Sequence, residues 1–131
     1  LRPKPAQPAV AEDPLVRAER RLKELHPAEP FHGMAQEVFF YELSLRLREY
    51  LEHRFRLPAT DLTLREIRAV TQSRRDLNRP MEYPLALLGK ADLIKFAGER
   101  TTFAQAQADV QAVNHWLNDV RPEPPEAQGV Q

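Results

Sequence analysis

The chain contains no cysteine, which excludes disulfides, thiolate metal sites and cysteine nucleophiles and fits a reducing compartment. Glycine is almost as scarce. The four glycines, at positions 33, 89, 98 and 129, form neither a Walker loop nor a GxGxxG fingerprint, so neither of those phosphate cradles is available. There is no apolar run of about 18 residues and no signal-peptide pattern, and the chain as given is expected to be soluble. Charge of one sign is missing as well. Nineteen basic residues balance nineteen acidic ones, whereas a general binder of nucleic acid or anionic membrane carries a basic excess.

Constellations for chemistry are equally thin. The four histidines, His26, His32, His53 and His115, never pair at helical spacing, and HExxH is absent, so no metal and no cofactor is expected. Carboxylate neighbours such as Glu49 with Glu52, or Glu12 with Asp13, stand among arginines in polar stretches, without the apolar setting that raises a carboxylate pKa for acid/base work. Ser44 sits within a helical pattern rather than on a strand-turn-helix elbow. Asp92 lies beside an apolar face in ADLIKF, where capping, an arginine pair or a binding surface are all open readings.

What the chain has in quantity is proline at its ends and amphipathic helix between them. Seven of twelve prolines fall at Pro3, Pro5, Pro8 and Pro14, then Pro122, Pro124 and Pro125. Residues 1–13 are expected to be an extended, disordered Pro-rich linker, and 121–131 a disordered tail. Residues 14–120 are expected to form one helical domain. Its roughly 105 residues are enough to bury about two thirds of the unfolded surface.

Five helices are expected. Asp13 caps the first, Pro14 to Leu25, with Leu15, Ala18, Leu22 and Leu25 on one face and a basic outer face. The second, about Gly33 to Arg56, is long for a small domain. Phe40, Leu43, Leu47, Tyr50 and Leu51 make its inner stripe, widened by Phe39 and Phe55. Leu57 and Pro58 stop it. Thr63 and Glu66 then form a capping box, flanked by Leu62 and Ile67 for a hydrophobic staple, and open a third helix to about Gln72. Ser73 to Pro80 reads as a polar connection. The fourth helix is placed at Pro84 to Ala97, with Pro84 in its first turn, Leu85, Leu88, Ala91 and Phe96 inward, and Gly98 as the residue after its cap. Gly89 weakens its middle and allows a bend or a close contact. Thr102 and Gln105 offer a second capping box, opening a last helix with Phe103, Ala106, Val110, Val113, Leu117 and Val120 on one face. The stripe is under three heptads long, which favours a bundle over a dimeric coiled coil. The fold class is therefore all-α, a single-domain bundle of about five helices around a long central second helix.

The segments FYELSLRLREYLEHRF, LPATDLTLREI and KADLIKFAGERTTFAQAQADVQAV, in that order and spacing, resemble the cytoplasmic C-terminal domain of BatD-type and related small membrane-anchored proteins of the MoxR/Bat, or oxygen-tolerance, systems. The resemblance runs over about Pro14 to Val120. Its positions here include Tyr41, Leu43, Ser44, Arg48, Tyr50, Glu52, Arg54, Phe55, Pro58, Thr63, Glu66, Asp92, Lys95 and Phe96. It implies a non-enzymatic adaptor that docks a MoxR-type AAA+ ATPase or a von Willebrand factor A-domain protein at the cytoplasmic face of the bacterial inner membrane. The chain, which starts with Leu, would be the soluble part of a longer protein behind a transmembrane helix, with the Pro-rich start as a spacer. Binding would fall to exposed polar members of the pattern: Arg48, Glu52, Arg54, Asp92 and Lys95. The alternative is a nucleic-acid-binding helical domain, favoured by the run of arginines from Arg46 to Arg75 and disfavoured by the neutral total.

Overall fold

A computed structural model describes residues 11–123. The expected linker and tail, apart from Ala11 to Asp13 and Arg121 to Glu123, lie outside the described residues. Within them the chain is helical, with no strand: α1 (Pro14–Lys23), α2 (Met34–Phe55), α3 (Leu64–Ser73), a 3-10 turn (Arg75–Leu77), α4 (Asn78–Phe96) and α5 (Phe103–Val120). An all-α bundle of five helices is what the periodicity called for.

The helix starts are made by the residues whose chemistry suits them. The Asp13 carboxylate accepts from the N–H groups of Leu15 and Val16 at 2.9 and 3.3 Å. Thr63 accepts from Glu66 N–H at 3.2 Å while Glu66 accepts from Thr63 N–H at 3.0 Å, so both arms of the box close. At α5 only one arm forms. Thr102 accepts from Gln105 N–H at 3.0 Å, but the Gln105 amide turns along the helix to Asp109. Two helices end in left-handed backbone: Gly98 follows α4 at φ +74°, and Arg56 closes α2 at φ +55°. The second is a position that favours glycine.

α2 is the central element. Phe40, Leu43, Leu47, Tyr50 and Leu51 are fully buried, and Phe39 and Phe55 nearly so. α1 and α4 run antiparallel to α2, and α5 runs along it in parallel. Two groups of rings close the ends. Phe31 meets Phe39 and Phe103 edge-on at 5.6 and 6.2 Å, and at the other end Trp116 meets Tyr50 at 5.5 Å, with Phe55 and Tyr83 at 6.4 Å. Edge-to-face packing of this kind adds to plain burial.

Three expectations about α4 and α5 need correction. Pro84 is not in the first turn. The helix begins six residues earlier, and Pro84 sits inside it, buried. Its ring removes the N–H that would bond the carbonyl of Pro80. The Trp116 indole fills that vacancy, its Nε1–H donating to Pro80 O at 2.9 Å. The break in one helix thus becomes the lock to the next. Trp116, outside the expected α5 stripe, is accordingly buried. The second correction is Phe96, expected inward and found 79% exposed. The buried face of α4 runs through Met81, Leu85, Leu88, Ala91 and Ile94, and Phe96 lies two residues past Ile94, round the helix from that face. The third is Arg121. Placed in the expected tail, it instead pairs with Glu19 of α1 at 2.5 Å, fixing the end of α5 to α1.

The loops are pinned by a side chain that periodicity does not single out. Gln36 is buried. Its amide donates to Phe31 O at 3.0 Å and Thr101 O at 2.9 Å, and accepts from Thr101 N–H at 3.1 Å. One glutamine thereby satisfies backbone groups of both the α1–α2 and the α4–α5 connections.

Candidate functional site

The five residues expected to contact a partner are all half-buried rather than freely exposed. Arg48 projects from α2 under the α2–α3 loop and donates to the carbonyls of Ala59, at 2.9 Å, and of Leu62. Burial pulls its pKa below the usual arginine range, yet it stays charged, and it acts as the strut of that loop. Glu52 accepts from the Thr60 hydroxyl at 2.8 Å. Arg54 donates to Val120 O at 2.7 Å, satisfying one of the carbonyls left open at the end of α5, and its guanidinium lies 4.8 Å from the centre of the Phe55 ring. These three groups work within the fold.

Asp92 and Lys95 are placed differently. They pair at 3.4 Å on α4. The Lys95 ammonium lies 5.0 Å from the centre of the Phe96 ring and 5.9 Å from that of Tyr41 on α2. Cation–π contact of this kind binds the two rings into one surface. On the same two helices large apolar side chains face solvent: Met34 at 74%, Tyr41 at 60% and Phe96 at 79% exposure, with Val38 and Leu93 about half exposed. Met34, Val38 and Tyr41 recur at steps of four and three, so they form a stripe on α2 opposite its buried one. α2 is thus apolar on two faces, and α1 and α4 cover only one.

This surface was partly legible. The steps of Met34, Val38 and Tyr41 are in the sequence, but one broad apolar stripe already accounts for α2, and the pattern of α4 places Phe96 inward. Asp92 and Lys95, two of the five expected interaction residues, pair with each other beside the Phe96 ring.

One concave region is markedly polar. A cleft of about 460 Å³ between α1 and the second half of α2 is lined by Arg17, Arg21, Glu49, Glu52, His53 and Thr60 among others. Its groups are mutually paired in part, Arg21 with Glu49 at 3.3 Å. Among the described residues no three His, Asp or Glu side chains converge as a metal site, and no helix is long and apolar enough to cross a membrane.

A run of arginines from Arg56 to Arg79 is the remaining distinctive surface. Arg74 pairs with Asp76 at 2.9 Å. Arg56, Arg65, Arg68, Arg75 and Arg79 have no carboxylate at ion-pair distance among the described residues.

No protein-family model matches the chain, and no curated protein or solved structure matches it either. The likeness to the Bat systems therefore stands on the order and spacing of the residues quoted for it.

Proposed function

We propose that the chain is a non-enzymatic protein-docking domain and that it meets its partner through the Met34, Val38, Tyr41, Leu93 and Phe96 surface. The observation that carries this reading is the exposure of five large apolar side chains on two adjoining helices, whereas elsewhere among the described residues Val16 of α1 alone is comparably bare. Exposed apolar side chains gathered on adjoining helices mark an interaction surface, and aromatic and methionine side chains are the types enriched at interface centres. Asp92 and Lys95, neutral as a pair, add a hydrogen-bonding feature that orients the partner.

Within that class the resemblance supplies the partners: a MoxR-type AAA+ ATPase or a von Willebrand factor A-domain protein, met at the cytoplasmic face of a bacterial inner membrane. The test is titration of each purified candidate with the folded chain and with Phe96→Glu. Saturable binding by the wild type, weakened at least tenfold by the substitution, supports the reading. Binding by neither candidate removes those partners, and binding indifferent to Phe96→Glu removes the face.

The arginines with no ion-pair partner favour a second reading, a nucleic-acid surface along α3 and the start of α4. It predicts an oligonucleotide complex at low salt that weakens steeply as salt rises and is abolished by Arg65→Glu with Arg68→Glu. No complex at low salt ends it.

A further inference from the structure

We propose that the arginine surface of α3 and the α3–α4 turn takes the phosphate backbone of a double-helical nucleic acid, without reading its sequence. This deepens the nucleic-acid reading above and rests on it. It uses none of the exposed apolar side chains of α2 and α4, so it neither needs nor excludes a protein partner there.

Charge is segregated along the chain. The total is neutral, but residues 56–79 carry six arginines against three carboxylates. Two of those carboxylates are engaged: Asp76 by Arg74 at 2.9 Å, and Glu66 by the Thr63 N–H at 3.0 Å. Arg74 is spent as well, since it also donates to Phe55 O at 3.2 Å. Arg65, Arg68, Arg75 and Arg79 are exposed and have no carboxylate at ion-pair distance among the described residues. Asp61, ahead of α3, and Glu82, one turn beyond Arg79, are the free acids at the two ends. Four free guanidinium groups outnumber them and leave a local positive field.

Placement favours a row of anions over a single one. Arg65, Arg68 and Gln72 recur at steps of three and four, so they share one flank of α3. The Arg68 guanidinium lies 3.7 Å from the point that a β-carbon on Gly89 would occupy. That flank therefore faces the groove between α3 and α4, and Gly89 leaves it room. Arg79 lies roughly 15 Å back along α4 from Gly89, and Arg75 is in the turn between the helices. The cations are strung along the helix pair and not gathered round one point.

The class of partner follows from what accompanies the arginines. A protein partner needs apolar anchors. The exposed positions of α3 are Arg65, Glu66, Arg68, Ala69, Gln72 and Ser73, with no large apolar side chain. A single strand is held by bases stacked on aromatic rings. α3 has no ring, and Tyr41 and Phe96, the exposed ones, stand on α2 and at the end of α4. Phosphate remains, which guanidinium groups bind in bidentate fashion, and a duplex presents phosphates outward with its bases stacked inside.

Fluorescence anisotropy of the full 131-residue chain tests this. The probes are labelled duplex DNA and duplex RNA of about 20 base pairs, an unpaired DNA strand of equal length, and poly-glutamate. The expected result is duplex binding at low salt, tighter than to the unpaired strand and alike for two unrelated sequences. Log affinity should fall against log salt with a slope of about −3 to −4, as four phosphate contacts require. Arg65→Gln with Arg68→Gln should weaken binding at least tenfold and make the slope shallower by about two. Gly89→Glu replaces glycine with a better helix former. It should keep the helical circular dichroism yet weaken binding at least threefold, because it sets a carboxylate against Arg68. Arg100→Gln, outside the surface, should leave the slope unaltered. A preference between the DNA and RNA duplexes tells which helical form fits, and either supports the proposal. An unpaired strand bound as tightly as the duplex, with the same loss in the double variant, overturns the duplex and leaves the nucleic-acid reading standing. Poly-glutamate bound in preference to every nucleic acid overturns both in favour of an acidic protein. No duplex binding at low salt, or a slope that Arg65→Gln with Arg68→Gln leaves unchanged, also overturns both.

Discussion

Trp116 shows how much of this molecule turns on single side chains. Its indole N–H bonds the one carbonyl that Pro84 deprives of a helical partner, and its ring joins Tyr50, Phe55 and Tyr83. Trp116→Phe keeps most of the ring but leaves Pro80 O buried against an apolar edge. The expected cost is about 2 kcal/mol, combining the lost bond and the smaller ring, read from urea unfolding. Arg56 is the opposite case. It holds a left-handed conformation at the end of α2 that glycine adopts freely, and its side chain makes no ion pair among the described residues. Arg56→Gly is expected to raise stability by about 0.5–1 kcal/mol, measured the same way. Neither residue was legible beforehand. A stripe counted in steps of three and four through α5 passes over Trp116, and its partner appears only once Pro84 is known to lie inside a helix. Arg56 was read as the last helical residue, since the sequence shows Leu57 and Pro58 as the stop but not which residue must turn left-handed to reach them.

Among the elements, capping and stripe were readable where the signal is local. Asp13, Thr63 with Glu66, and Thr102 each start the helix expected of them, because an oxygen two or three residues ahead of open N–H groups needs no tertiary help. The start of α4 was misplaced because tertiary packing overrides a local rule there. Proline suits a first turn, yet it is tolerated at position 84 once another helix supplies a donor to the open carbonyl. Gln36 is the clearest tertiary feature. It reaches 65 residues along the sequence to Thr101 as well as back to Phe31, a link that periodicity cannot encode. Gln36→Leu, close in volume, leaves Thr101 N–H and two carbonyls without partners. The expected loss is about 3 kcal/mol. Faster amide exchange at Thr101 would show that the pinning of the α4–α5 connection, and not only packing, has gone. The candidate interaction residues divided for a similar reason. Arg48 and Arg54 were read as free charges, but carbonyls at the end of a helix or in a loop attract guanidinium groups, and both were taken up by the fold.

For the molecule as a whole, stability and function draw on different surfaces. A helix cap and an ion pair between α1 and the end of α5 hold carboxylates below their ordinary range. Glu66 is lowered by the backbone and hydroxyl of Thr63. At Glu19, burial pushes upward but Arg121 and Lys23 pull the carboxyl below 4.5. A carboxylate with a folded pKa below its unfolded value stabilises the fold above the unfolded value and stops doing so as pH falls through the folded one. The melting temperature is therefore expected to be level near neutrality and to decline as pH drops below about 4.5, with Glu19→Gln shallower in that decline. The outer face of α2 contributes little to this stability, which leaves it open to a partner. That separation between a covered stripe and a bare one on the same helix is the central claim, and residue-resolved NMR tests it most directly. Spectra of the labelled chain are recorded while a purified MoxR-type ATPase or A-domain protein is added. The account predicts shifts concentrated at Met34, Val38, Tyr41, Leu93, Lys95 and Phe96, with the signals of α3 unmoved. Binding that shifts Arg65 to Arg79 instead, with the Tyr41 and Phe96 signals unchanged, would contradict it.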